Sequence, residues 1–236
     1  MMGRAGAVVA SVLLTGGFAT LHAQERPFTI AFKGNVTTGS QLFPNPNSAD
    51  PLERAQFFPL TGIFGYSVEA RYQIPETDIA IGLSADYVRT TEPQSIRLSS
   101  TRSVPVEDGY RVIPVEVTAY FILPISGPTF GIFMGGGGGA YFGRRIYKIG
   151  GVEAVPIDQG HGFGIHVLGG LSYRISELVS IIGEMKFRDL QFEASNAFST
   201  PTVTFENTVI NVSQEPFTSR IHTDGIVFQL GAAISF

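Results

Sequence analysis

The stretch "FFPLTGIFGYSVEARYQIP", residues 57–75, decides how the rest of the chain is read. Leu60, Phe64, Tyr66, Val68, Ala70, Tyr72 and Ile74 share one parity, with Gly62 among them. Thr61, Ile63, Gly65, Ser67, Glu69, Arg71 and Gln73 share the other. A helix would scatter either set around its circumference, whereas a strand sends them to opposite faces. The run of about fifteen residues far exceeds the five or six of a globular strand. It suits a tilted bilayer crossing and its rims.

The same alternation recurs along the chain. Ile79, Ile81, Leu83, Ala85 and Tyr87 stand against Ala80, Gly82, Ser84 and Asp86. Val115, Val117, Ala119 and Phe121 stand against Glu116, Thr118 and Tyr120. Further runs follow at 162–174, 178–189 and 225–236, and "PFTIAFKGNV" and the segment around "GGGGG" complete eight strands. Tight links near 75–78, 124–128 and 175–177 alternate with long polar links near 38–57, 89–110, 148–160 and 193–219. Because an unpaired backbone group in hydrocarbon costs several kcal/mol, strands cross only as a closed ring. The fold class is therefore all-β: a transmembrane eight-stranded antiparallel up-and-down barrel, with long extracellular loops and short periplasmic turns.

Bulk composition agrees. Of 236 residues 44% are apolar and 15% charged, with no cysteine and a net charge of −4. Thiol chemistry is excluded, and the lack of any basic tract argues against nucleic acid. At the start, Arg4, an apolar run from Ala5 to Phe18 and small residues up to Ala23 have the layout of a secretory signal peptide. Residues 1–23 are read as that peptide and 24–236 as the barrel domain.

The glycine run 135–139 lacks the Lys-Ser or Lys-Thr and the following helix that a phosphate cradle needs. It is read as wall: inner-parity glycines leave room for long charged side chains, and outer-parity ones are expected to lie under aromatics. Arg144 and Arg145 are expected at the outer rim, facing water or headgroups.

Charges gather on the inner parity: Lys33, Glu69, Arg71, Asp86, Glu116, Glu184, Lys186 and Arg188, four of each sign. They predict a neutral salt-bridge network closing a wet bore that side chains can fill. The alternative is a narrow gated pore for small solutes, with Glu116 or Glu184 exchanging between Lys186 and Arg188. A lipid-modifying enzyme would need a Ser–His–acid set facing lipid near the rim. His166 points inward and His222 has no serine placed beside it, so no catalytic, cofactor or metal residue is assigned. A soluble lipocalin-like carrier conflicts with the charged interior.

The long strands and the terminal "IVFQLGAAISF" resemble the small eight-stranded outer-membrane barrels, the OmpA-like or opacity-type family. That resemblance implies an outer-membrane location and a monomer. It also implies contact with outer-membrane lipid and lipopolysaccharide, and with the export and barrel-assembly machinery. It marks Phe228, Leu230, Ala232, Ile234 and Phe236 as the assembly signal. The resemblance is to the barrel alone, without the periplasmic peptidoglycan-binding domain of the OmpA prototype, so anchoring to the cell wall is not expected. Specific binding is expected in the loops, where Phe198, Phe205 and Phe217 are candidates for exposed contacts. "TVTFENTVINV", residues 202–212, is expected to extend its flanking strands outward.

Overall fold

The computed structural model describes residues 26–98, 102–223 and 225–236. The signal-peptide reading of residues 1–23 lies outside them. The strands are β1 Phe28–Phe43, β2 Phe58–Gln73, β3 Ile79–Arg97, β4 Ser103–Ile122, β5 Phe130–Ile149, β6 Val152–Glu153 and β7 Val155–Asp158. They continue with β8 Gly160–Arg174, β9 Val179–Ala197, β10 Thr202–Phe205, β11 Thr208–Asn211, β12 Phe217–Thr223 and β13 Ile226–Ser235. β12 and β13 follow one another along β9 in the same register and act as one stave. Eight antiparallel staves then close into a ring, because β1 pairs with β2 on one side and with β13 on the other.

At the short-turn end the seam is fastened by Phe28 N–H to Phe236 O at 3.2 Å and Phe236 N–H to Phe28 O at 2.9 Å. Phe28 packs on Tyr72, with ring centroids 4.9 Å apart, and stacks on Phe236 at 6.4 Å. Exposed Phe121, Phe130 and Tyr173 lie near the same end, an arrangement that suits a membrane interface. Farther along, Phe163 is 85% exposed and Ile165 70%. An apolar exterior around a charged interior inverts the soluble arrangement and fits a bilayer.

The polar links are shorter than their composition suggests. β3 runs to Arg97 and β4 begins at Ser103, so residues 89–97 and 103–110 are strand. Pairs such as Glu92–Asp108 carry the ladder onward. Antiparallel backbones keep pairing whether the side chains meet lipid or water, and polarity alone does not end a strand. The β1–β2 connection contains α1, Pro51–Ala55, with Asp50 accepting a cap hydrogen bond from Leu52 N–H at 2.9 Å.

Two details of the wall differ from the simple alternation. Leu60 faces the bore, although its parity matches that of exposed Phe64 and Tyr66. The cause is a turn-over of the backbone at Gly62, whose φ is 61°. β1 turns over at the same height, since Thr37 and Ser40 are both buried while still paired with Ile63 and Leu60. The outer-parity glycines are not covered by rings: an added Cβ at Gly136 or Gly138 would first meet His166 O at 3.3 Å or Gly164 O at 3.2 Å. On the inner parity, a Cβ at Gly137 would lie 1.9 Å from Val117 O. The run therefore lets β4 and β5 approach closely as the wall coils, more than it frees volume in the bore.

Candidate functional site

The bore is built in layers, and β4 passes through them in order. From the short-turn end it offers Tyr120, then Glu116, then Val112 and Tyr110, then Asp108, then Val106 and Val104, all inward because they share one parity. β9 supplies the charged spine, with Glu184, Lys186 and Arg188 inward at every second residue.

All eight charged residues assigned from parity meet in the bore, and they divide into two neutral quartets. In the lower one, Lys33 Nζ lies 2.6 Å from both Glu69 Oε2 and Glu184 Oε2. Arg71 Nη2 closes the ring at 2.7 Å from Glu69 Oε1 and 3.0 Å from Glu184 Oε1. The Arg71 guanidinium also lies 3.7 Å from the centroid of the Tyr120 ring. In the upper quartet Glu116 binds Lys186 Nζ at 2.7 Å and Arg188 Nε at 2.7 Å, while Arg188 also binds Asp86. The Tyr141 hydroxyl donates to Glu116 Oε1 at 3.0 Å.

Among the described residues no ion pair links the quartets. Glu184 pairs with Lys33 and Arg71 rather than with Lys186 or Arg188, between which the alternative gated pore would have it exchange. Neighbouring inward positions on one strand stand about 6.6 Å apart, and each turns to different staves. The side chains of Glu116 and Glu184 are 0% exposed. Buried ions of this kind hold only while paired, because removing one partner leaves an uncompensated charge.

Apolar layers separate and cover the charges, so the bore is not uniformly wet. Ala31, Ala80, Tyr120, Phe133, Leu168, Ile182 and Ala233 form a floor. Above the quartets, Leu42, Leu60, Ile63, Tyr110, Tyr141, Leu190, Phe192 and Ile221 lie among the residues of a middle layer. Next comes a pair that parity reasoning missed. Arg145 is buried and grips Asp108 with two bonds, Nε to Oδ1 at 2.8 Å and Nη2 to Oδ2 at 2.6 Å. Arg145 is thus inside the barrel rather than at a wet rim, because β5 continues to Ile149 and carries it inward beside β4. Reading the alternation of β4 upward past Tyr110 would have found Asp108.

The outermost layer gathers Val104, Val106, Ile149, Ala154 and Phe198, with Phe205, Ile210, Val212 and Phe217 packed against it. β10 and β11 do not extend β9 and β12. They form a separate two-stranded sheet, whose Val203 and Phe205 would lie 3.1–3.5 Å from a Cβ at Gly150. Phe198, expected at an exposed surface, is 5% exposed because it packs under this lid.

His166 Nε2 lies 2.8 Å from Thr118 Oγ1, and its Nδ1 lies 3.8 Å from Glu116 Oε1. The connectivity is that of a hydroxyl–base–acid set. However, all three side chains are buried, and the second distance is beyond a hydrogen bond. Phe228, Leu230, Ala232, Ile234 and Phe236 project outward on the closing stave, where β13 pairs with β1 and β9.

No family model and no curated protein matches the chain. Among solved structures, a major outer membrane protein from Thermus thermophilus superposes with a TM-score of 0.50 at 10% identity, covering 89% of this chain and 99% of that one. The chain has the fold of small outer-membrane β-barrels. OprG from Pseudomonas aeruginosa gives a TM-score of 0.49 at 12% identity, covering 89% of this barrel and 95% of its own chain. Ail of Yersinia pestis gives 0.47 at 12%, over 90% and 100%. At such identities the likeness concerns the course of the backbone. The interior of this barrel is argued from its own residues.

Proposed function

We propose that this outer-membrane barrel is closed, and that its work is structural or is done by the surface it presents outside the cell. One observation carries the reading: apolar layers alternate with internally neutralised charge along the bore. An ion entering would have to part a buried pair or cross a layer with nothing to solvate it. The hydroxyl–histidine–carboxylate set inside is then part of the packing, and no catalytic role is assigned to it. Lipid, lipopolysaccharide and the assembly machinery are its proposed partners, with the outward residues of β13 as the assembly signal.

The test is planar-bilayer conductance of the folded, heat-modifiable form. Wild-type protein is expected to give no steady current. Glu184→Ala, which strips a partner from both Lys33 and Arg71, is expected to lower stability by about 3–5 kcal/mol. Steady wild-type conductance that Glu184→Ala abolishes would overturn the closed bore in favour of a narrow pore.

A further inference from the structure

At the outer end, above the Arg145–Asp108 pair, a pocket of about 340 Å³ opens between β5, β12 and the chain after β1. Its size falls in the range of small-molecule sites. Tyr147, Phe198 and Phe217 form one wall, with ring centroids 5.7–6.3 Å apart. Arg145 lines it too, and exposed Asn45, Asn211 and Ser213 form a polar rim.

The wall is fixed before any ligand arrives. Arg145 is pinned by Asp108 and by Ser219, to whose Oγ it donates through Nη1. Buried Asn196 holds the Arg145 carbonyl through Nδ2 at 3.3 Å. A guanidinium carries five N–H groups, and these bonds leave one on each terminal nitrogen uncommitted. Binding here would cost little ordering.

Charge decides what fits. A cation would seek the ring faces, but the Arg145 guanidinium already sits 4.6 Å from the Tyr147 centroid and 5.6 Å from that of Phe217. An anion would seek Arg145, but Asp108 has neutralised it through both carboxylate oxygens. What remains favourable is an uncharged molecule with an apolar face for the rings and hydroxyls for the rim and the two free N–H groups.

We propose that this pocket binds a neutral sugar unit, its ring against Tyr147 and Phe217 and its hydroxyls on Asn45, Asn211, Ser213 and Arg145. The proposal deepens the surface-interaction reading above and rests on it. The sugar could belong to a soluble or host glycan, or to the lipopolysaccharide of the same membrane.

The experiment is saturation-transfer difference NMR on the full barrel in nanodiscs of phosphatidylcholine alone. The probes are glucose, galactose, N-acetylglucosamine and lactose, with choline and methyl sulfate as charged controls. At least one sugar is expected to receive saturation on its ring C–H protons, while the controls stay silent. Asn211→Ala, a rim change outside the packed layers, is expected to weaken binding about fivefold through one lost hydrogen bond. Phe217→Ala is expected to abolish the signal. A second set of discs carries a neutral-core lipopolysaccharide. Loss of the free-sugar signal there assigns the pocket to the membrane's own saccharide, and its persistence assigns it to a soluble one. Silence of all four sugars in the first discs, a signal unchanged in both variants, or stronger transfer to choline overturns the proposal. Conductance on the same preparation keeps the readings apart: a silent barrel that ignores sugar loses only the pocket, and a conducting barrel that binds sugar loses only the closed bore.

Discussion

Gly137 and Gly138 are chemically identical neighbours with different tasks. A methyl group at Gly137 would lie 1.9 Å from Val117 O, whereas one at Gly138 would lie 3.2 Å from Gly164 O. The first contact is with a backbone atom that cannot swing aside, and the second needs a shift of a few tenths of an ångström. Gly137→Ala is expected to destabilise the barrel by about 1–3 kcal/mol, and Gly138→Ala by clearly less. The urea midpoint of the heat-modifiable gel shift measures both, and equal midpoints would contradict the close approach of β4 and β5. At this scale the sequence told which way most side chains point, since strand parity is local. It did not tell why the glycines are there, because that depends on the distance to the next backbone. Arg145 escaped for a related reason: polar residues around it looked like the start of a loop.

Among the elements, the lid hairpin has the most specific local chemistry. Its turn residues Glu206 and Asn207 both have positive φ, 46° and 61°. Such two-residue turns favour Asn followed by Gly, and a glutamate at the first position is strained. The double change Glu206→Asn with Asn207→Gly is expected to tighten β10–β11, read as slower amide exchange and slower proteolysis of residues 202–211. Faster cleavage would mean that the lid is held by its packing alone. Alternation in residues 202–212 was legible in the sequence, but its partner was not. Periodicity says that a segment is a strand without saying which ladder it joins. The turn-over at Gly62 is similar: Leu60 switched faces because two paired strands rotate together, a property of neither sequence alone.

Taken whole, the closed bore proposed above would rest on more than one barrier. The floor, the two charge quartets and the middle apolar layer all lie below the Arg145–Asp108 pair. Excising the β10–β11 hairpin and rejoining the chain is therefore expected to leave the barrel non-conducting while it removes one side of the outer pocket. Bilayer recording of the excised form checks this, and an open current would make the lid the true seal. Length, alternation and charge placement made the ring and its stuffing readable from sequence. The division of eight charges into two closed sets was not readable, because it depends on which staves face each other across the bore.

That division has a consequence for assembly. Of the eight quartet charges, the first four staves carry Lys33 and Arg71 against Glu69, Asp86 and Glu116, an excess of one negative charge. β9 brings Glu184 with Lys186 and Arg188, an excess of one positive. Until β9 docks, neither set can balance, and a half-made sheet entering hydrocarbon would drag an orphan charge with it. Closing the wall with the seventh stave is therefore the step at which the last charge finds its counterpart, and a ring lacking that stave would hold charge it cannot offset.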